Sequence, residues 1–170
     1  MSSAGSLVLM GPAGSGKTVV GRRVAAQLGV EFVDGDDFHS PVDVDAMRRG
    51  VPLDDQRREP WLDRLHAELV ARDEVGVVLA CSALRVAYRR RLRRGLSDVR
   101  FIALVASREV LRQRLVTRAD HFAGSSLLES QLGALELGDD VLVVDADGSV
   151  DEVVARVLDV FGGVGSGPDR

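Results

Sequence analysis

A chain of 170 residues in which 45% are apolar can build one well-filled core and has little left for a second. Its net charge of −4 argues against a general nucleic-acid binder, which needs a broad cationic surface, and its single cysteine, Cys81, excludes an internal disulfide. Apolar stretches such as Val75 to Leu84 fall far short of the ~20 residues that cross a bilayer, so no membrane partner is expected.

Met1 to Ser6 has neither the basic start nor the apolar centre of a signal peptide, and a cytoplasmic location is expected. Leu7 to Met10 is a wholly apolar run stopped by Gly11, the pattern of a strand buried on both faces. Similar runs follow at Glu31 to Val33, Val75 to Ala80, Val99 to Val105 and Val141 to Val144. Between them, apolar residues recur at helical spacing: Val20, Val24 and Leu28, then Leu62, Leu65 and Leu69, then Leu111 and Leu115, then Leu128, Leu132 and Leu135. Pro60 reads as a first helical residue and Trp61 as a packing anchor. Ser126 with Glu129, and Ser149 with Glu152, read as capping boxes; the second opens a last helix that Gly162 ends.

Strands alternating with helices imply an α/β fold whose parallel sheet is covered on both faces, with ligands at the carboxyl ends of the strands. One domain is expected over 1–162, and 163–170 has no apolar anchor and reads as a mobile tail. Two segments exceed a minimal sandwich. Residues 35–60 are polar and broken by Pro41, Gly50, Pro52 and Pro60, and 114–124 join a basic helix end to a loop containing Gly124. Both are candidate lids, the first on the acceptor and the second on ATP.

The strongest motif is Gly11-Pro12-Ala13-Gly14-Ser15-Gly16-Lys17-Thr18, which fits G-x-x-x-x-G-K-[ST] between a strand and a helix. Its glycines let successive N–H groups turn inward as a nest for phosphate oxygens, and the helix end behind them adds only ~0.3 to 2 kcal/mol. Lys17 and a metal must supply the rest. Among 22 basic residues Lys17 is the only lysine, and a compact ammonium on a flexible stem suits the β and γ phosphates where a guanidinium fork does not. ATP and Mg²⁺ are therefore the expected cofactors, with the Thr18 hydroxyl on the metal. No aspartate ends Val75 to Ala80, which runs into Cys81 and Ser82, so Asp34 after Glu31-Phe32-Val33 is the best-placed carboxylate for the metal. Cys81 reads as a small packed residue.

With Asp34-Gly35-Asp36-Asp37-Phe38-His39, Gly50-Val51-Pro52-Leu53 and Pro60-Trp61-Leu62 after the phosphate loop, the chain resembles the gluconokinases. Ala80-Cys81-Ser82-Ala83-Leu84, Tyr88-Arg89, His121-Phe122, Leu127-Leu128 and Ser130-Gln131 continue that resemblance in the same order to about Leu158. It implies a P-loop NTPase fold like that of nucleoside monophosphate kinases, a three-layer sandwich with a five-stranded parallel sheet in the order 2-3-1-4-5. It also implies ATP-dependent phosphorylation of gluconate and a homodimer.

Arg114 and Arg118 resemble lid arginines, Arg114 stacking on adenine and Arg118 reaching the phosphates. Asp36 is the candidate acceptor of the proton from the attacking hydroxyl, although Asp34 and Asp36 could exchange roles. An anionic, hydroxyl-rich acceptor needs cations for its carboxylate, and Arg58, Arg85 and Arg89 are the candidates; His39, His121 and Gln131 complete the expected substrate set. The family usually has Asn at Asp43, Lys at Ala46, Asp at Arg57, Lys at Arg85, Asp at Arg90 and a Lys near Ala119. Shikimate and nucleoside monophosphate kinases are the rival readings. A non-enzymatic nucleotide-binding switch is the remoter alternative; its guanine-reading N-K-x-D motif is one that a chain with no lysine after Lys17 cannot contain.

Overall fold

The computed structural model describes residues 5–117 and 121–163, with the backbone alone for 121–126. Five parallel strands form one sheet: β1 (Ser6–Met10), β2 (Glu31–Asp34), β3 (Val77–Ala80), β4 (Val99–Val105) and β5 (Val141–Asp145). Their order is β2-β3-β1-β4-β5, with Leu7 opposite Val78 and Arg100, and Asp34 opposite Ala80. This is the expected α/β sandwich with its expected strand order.

The helices are α1 (Lys17–Leu28), α2 (Pro41–Arg48), α3 (Asp55–Ala71), α4 (Val86–Arg93), α5 (Arg108–Val116), α6 (His121–Ala134) and α7 (Val150–Gly163). Side chains alternate across each strand, so every strand feeds two cores. Val8, Met10, Leu79 and Phe101 pack with Trp61, Leu65 and Leu92 on one face. Leu7, Leu9, Val78 and Ile102 pack with Val20, Val24, Val154 and Val157 on the other. The central strands β1 and β3 are thereby covered twice and lie almost wholly out of water. No helix among the described residues is long and apolar enough to cross a membrane.

Several boundaries differ from the sequence expectation. β3 starts at Val77 because Gly76 turns the chain at φ 79°. Helix α3 begins at Asp55, not Pro60: the Asp54 side chain accepts the Arg57 N–H at 2.8 Å, and this cap outweighs the cost of a proline inside the helix. Residues 35–60 thus hold a 3-10 turn (Gly35–Phe38), α2 and the start of α3, with Ser40 capping α2 and Pro41 at its first position. Ser126 opens no helix, since α6 is already under way at His121. The second capping box does form: Ser149 N–H donates to Glu152 at 2.8 Å and Glu152 N–H to Ser149 Oγ at 3.3 Å. The tail residues 164–170 lie outside the described residues.

Candidate active site

The phosphate loop leaves β1 and turns into α1 within six residues, from Gly11 to Gly16, with Gly14 at φ 82° and Gly16 at φ 93°. Gly11 passes so close to β4 that a Cβ there would lie 2.7 Å from the Leu104 carbonyl oxygen. Lys17 Nζ donates back across the loop to the carbonyls of Gly11 (2.8 Å) and Pro12 (3.1 Å). Thr18 Oγ1 donates to Asp34 Oδ2 at 3.0 Å, and the other Asp34 oxygen accepts the Asp36 N–H at 3.1 Å.

Asp34 meets Thr18 beside the end of β3, which Gly35 lets the chain after β2 approach closely. A Cβ on Gly35 would lie 2.7 Å from the Ala80 carbonyl oxygen and 2.8 Å from Cys81 Cβ, so the chain of β2 runs hard against the end of β3. Burial pushes the Cys81 thiol up to about 12, which suits a packed, unreactive residue, and the charges of Lys17, Asp36 and Asp34 all reach it. The three groups therefore surround one strand end. A turned glycine loop with a hydroxyl and a carboxylate oxygen side by side fits a nucleoside triphosphate and Mg²⁺, which binds few protein oxygens and keeps several waters. Thr18 and Asp34 are the residues that would hold the metal.

A second cluster is assembled around Trp61, which is buried and donates Nε1–H to the Gly35 carbonyl at 2.7 Å. His39 stacks on its ring with centroids 4.4 Å apart and 9° between planes. Burial lowers the His39 pKa to about 4, with Asp43 opposing and Arg58 and Arg64 adding to the effect, so this imidazole is neutral at physiological pH. Next to it, Arg58 donates to the Tyr88 hydroxyl at 2.8 Å and lies 5.0 Å above the Tyr88 ring, where Arg85 also lies, at 5.9 Å. Asp55 accepts from Arg85 at 3.2 Å and from the Tyr88 hydroxyl. Tyr88 and Asp55 went unread as site residues; their signal is the spacing that puts Arg58 one helical turn from Asp55 and Tyr88 one turn from Arg85.

Arg89 is a correction. It is fully buried, and all five of its N–H donors are engaged: Nε and Nη2 with Asp140 at 2.7 and 3.1 Å, Nη1 with the carbonyls of Ala83 and Leu84, and Nη2 with that of Glu136. A saturated guanidinium has nothing left for an acceptor carboxylate. It serves as a structural ion, fixing the strained turn at Ala83 (φ 40°) that leads from β3 to Arg85. Gln131 also departs from its expected place: its Oε1 accepts the Ala13 N–H at 2.6 Å, on the phosphate loop.

Arg114 donates to the Ala146 carbonyl at 2.7 Å and makes long contacts with the carbonyls of Gly14 and Ser15, which sets it beside the same loop. Arg118 lies outside the described residues, as does Ala119, and the His121 side chain is likewise undescribed. Two departures from the family pattern explain each other. Arg57 Nη2 lies 2.7 Å from Asp43 Oδ1, so a positive charge at 57 meets a negative one at 43. The Ser40 hydroxyl and the Arg57 guanidinium together hold the Asp43 carboxyl below its ordinary range. Nothing in the structure explains Arg90.

Known proteins resemble this chain at the level of sequence and of fold. A family model described as "AAA domain" matches residues 7–137. The thermosensitive gluconokinase of Escherichia coli K12 is 44% identical over 134 residues, covering 77% of this chain and 71% of that one. A probable gluconokinase of Xenopus tropicalis is 39% identical, covering 89% of this chain and 90% of its own length. Among solved structures, a gluconokinase from Sinorhizobium meliloti 1021 superposes with a TM-score of 0.87 at 37% identity, covering 95% and 94% of the two chains. Matches of this identity and coverage carry more than a shared fold, and the chain belongs to the gluconokinase family.

Proposed function

We propose that this chain transfers the γ-phosphoryl group of ATP to a hydroxyl of D-gluconate, giving 6-phospho-D-gluconate. The observation that carries the reading is the arrangement at neighbouring strand ends. Lys17, Thr18 and Asp34 gather where a triphosphate would lie, and Arg58 and Arg85 share the Tyr88 ring on the side where an anionic acceptor would enter. Membership of the gluconokinase family points to the same chemistry.

In this reading the loop amides and Lys17 orient the β and γ phosphates, and a bound Mg²⁺ would neutralise charge developing on them. Arg58 and Arg85 hold the acceptor carboxylate at the end remote from reaction, which aligns the attacking hydroxyl. Asp36 accepts that hydroxyl's proton. His39, neutral and held flat on Trp61, offers a hydrogen bond to the acceptor without adding charge. Arg118 and His121, from the segment proposed to close over ATP, complete the set, and Arg114 borders the nucleotide. A homodimer in the cytoplasm belongs to the same reading, and sedimentation of the purified protein tests the dimer.

Gluconate-dependent release of ADP, with shikimate, glucose and nucleoside monophosphates as controls, tests the assignment. Equal rates on glucose would overturn it, because glucose lacks the carboxylate that the arginines are proposed to hold. Asp36→Asn separates the two carboxylates: turnover should fall far more than ATP affinity. Loss of ATP binding with turnover kept at saturation would exchange the roles of Asp34 and Asp36.

A further inference from the structure

Helix α6 touches three elements with three polar residues. Glu129 accepts from Arg108 at 2.7 Å and from Arg112 at 3.0 Å, both on α5. Gln131 accepts from the Ala13 N–H. Just past the helix, Glu136 accepts the Val86 N–H at 2.7 Å and donates its own N–H to the Leu84 carbonyl at 2.8 Å, which fastens this end to the start of α4 beside Arg85. Leu128, just before these contacts, is fully buried. The later half of the helix and the residue pair beyond it are thus tied at three points, from the arm that carries Arg114 to the turn that carries Arg85.

The middle contact has a specific consequence. The N–H of Ala13 and the carbonyl of Pro12 belong to one planar peptide unit and point in opposite directions. That carbonyl accepts from Lys17 Nζ at 3.1 Å and from the Ser15 N–H at 3.2 Å. Rotation of this peptide would carry away one of the two carbonyl oxygens that hold the ammonium, and its N–H side is bonded to the Gln131 carboxamide. A neutral acceptor suits this place, since a loop N–H left unclaimed would add to the anion nest and could turn the peptide toward the phosphates.

We propose that Gln131 is a positioning residue for phosphoryl transfer: it fixes the Pro12–Ala13 peptide, whose carbonyl holds Lys17 together with that of Gly11, and so makes α6 a brace between the ammonium and the turn that carries Arg85. This rests on the kinase reading above but concerns a role different from binding the acceptor.

The experiment compares Gln131→Leu with Gln131→Glu, which keeps an oxygen acceptor for Ala13. Amide exchange at Ala13 in the unliganded protein is measured with the acylation rate of Lys17, followed by kinetics with both substrates. In the leucine variant, Ala13 should exchange roughly ten-fold faster and turnover should fall on the order of ten-fold, with the KM for gluconate within about two-fold. The glutamate variant should keep Ala13 protected. Unchanged Ala13 exchange in the leucine variant, or a raised gluconate KM with turnover intact, would overturn the proposal, the latter returning Gln131 to the acceptor pocket. If the unaltered protein fails to phosphorylate gluconate, the functional reading fails, while Ala13 exchange and Lys17 acylation, which involve no acceptor, still decide the role of Gln131.

Discussion

The phosphate-loop end of this molecule is made mostly of backbone, and the cluster around Trp61 mostly of charged side chains. From Gly11 to Gly16 the loop is shaped by glycine conformations and close main-chain passages, and its one ion, Lys17, is itself held by two carbonyls. Around Trp61, by contrast, Arg57 pairs with Asp43 and Arg85 with Asp55, while Arg58 bonds the Tyr88 hydroxyl, and of these five charged residues only Asp43 is buried. A backbone site tolerates few changes, because each position must supply a conformation as well as an atom. A site of paired ions can change two residues together, as Asp43 and Arg57 do where the family has Asn and Asp: the negative charge moves to 43 and meets a new positive charge at 57.

The sharpest test of the contrast is Lys17→Arg, which keeps the charge but replaces a point cation with a planar fork. Turnover should fall ~100-fold or more while the protein stays folded. In the unaltered protein, MgATP should shield Lys17 from an acylating reagent, with peptide mapping separating it from the α-amino group; unshielded modification would break the contrast at its strongest point.

Arg89→Met comes next, because it takes a donor from the Asp140 carboxylate and from three carbonyls, of which that of Leu84 keeps a main-chain donor, the Glu136 N–H. Urea unfolding should show a loss of roughly 3–5 kcal/mol, the range for breaking a buried ion pair on one side. The gluconate KM of the folded variant should stay within about two-fold, since Arg89 serves the turn and not the acceptor. An Arg85→Gln variant provides the opposite case, with KM raised and stability kept.

A smaller effect is expected from Arg57→Asp, which sets two carboxylates against each other between α2 and α3. The gluconate KM should rise on the order of five-fold, and adding Asp43→Asn should recover most of it. No recovery in the double variant would mean that the two positions do not act as a pair.

The least effect concerns pH. The His39 pKa in the folded protein, about 4, lies below its ordinary value of 6.5 because of burial. As pH falls through this interval, the unfolded chain takes up the proton and the folded one does not. The stability tied to neutral His39 is thus whole above pH 6.5 and lost progressively toward pH 4. Melting curves of His39→Gln should lack this part of the acid decline, and a decline identical to that of the unaltered protein would show His39 to be solvated.

Much of this architecture was legible in the residues, because apolar runs of strand length can be buried on two faces only in a covered parallel sheet. The phosphate loop and the approach of Asp34 to Thr18 were legible for a related reason: motif and strand end fix the backbone, and the backbone fixes the site. Arg89 was misread because charge is visible in a sequence and burial is not. It stands in a run with Arg90, Arg91, Arg93 and Arg94, and only the helical phase, with Tyr88 and Leu92 turned inward beside it, tells which member enters the core. The Asp54 cap was hidden by Pro60, a stronger apparent start. Gln131 carried no local signal at all, since its partner lies 118 residues away.

The Arg89 cluster also bears on how long the folded molecule lasts. One guanidinium joins the turn after β3 to Glu136 and to Asp140, which is 51 positions along the chain. Bonds spanning such separations close late in folding, after most of the entropy of loop closure has been met. Bonds absent from the transition state hold back unfolding without hastening folding. The cluster is thus a latch on the lifetime of the acceptor side: without it the chain would reach its native form about as fast, and leave it sooner.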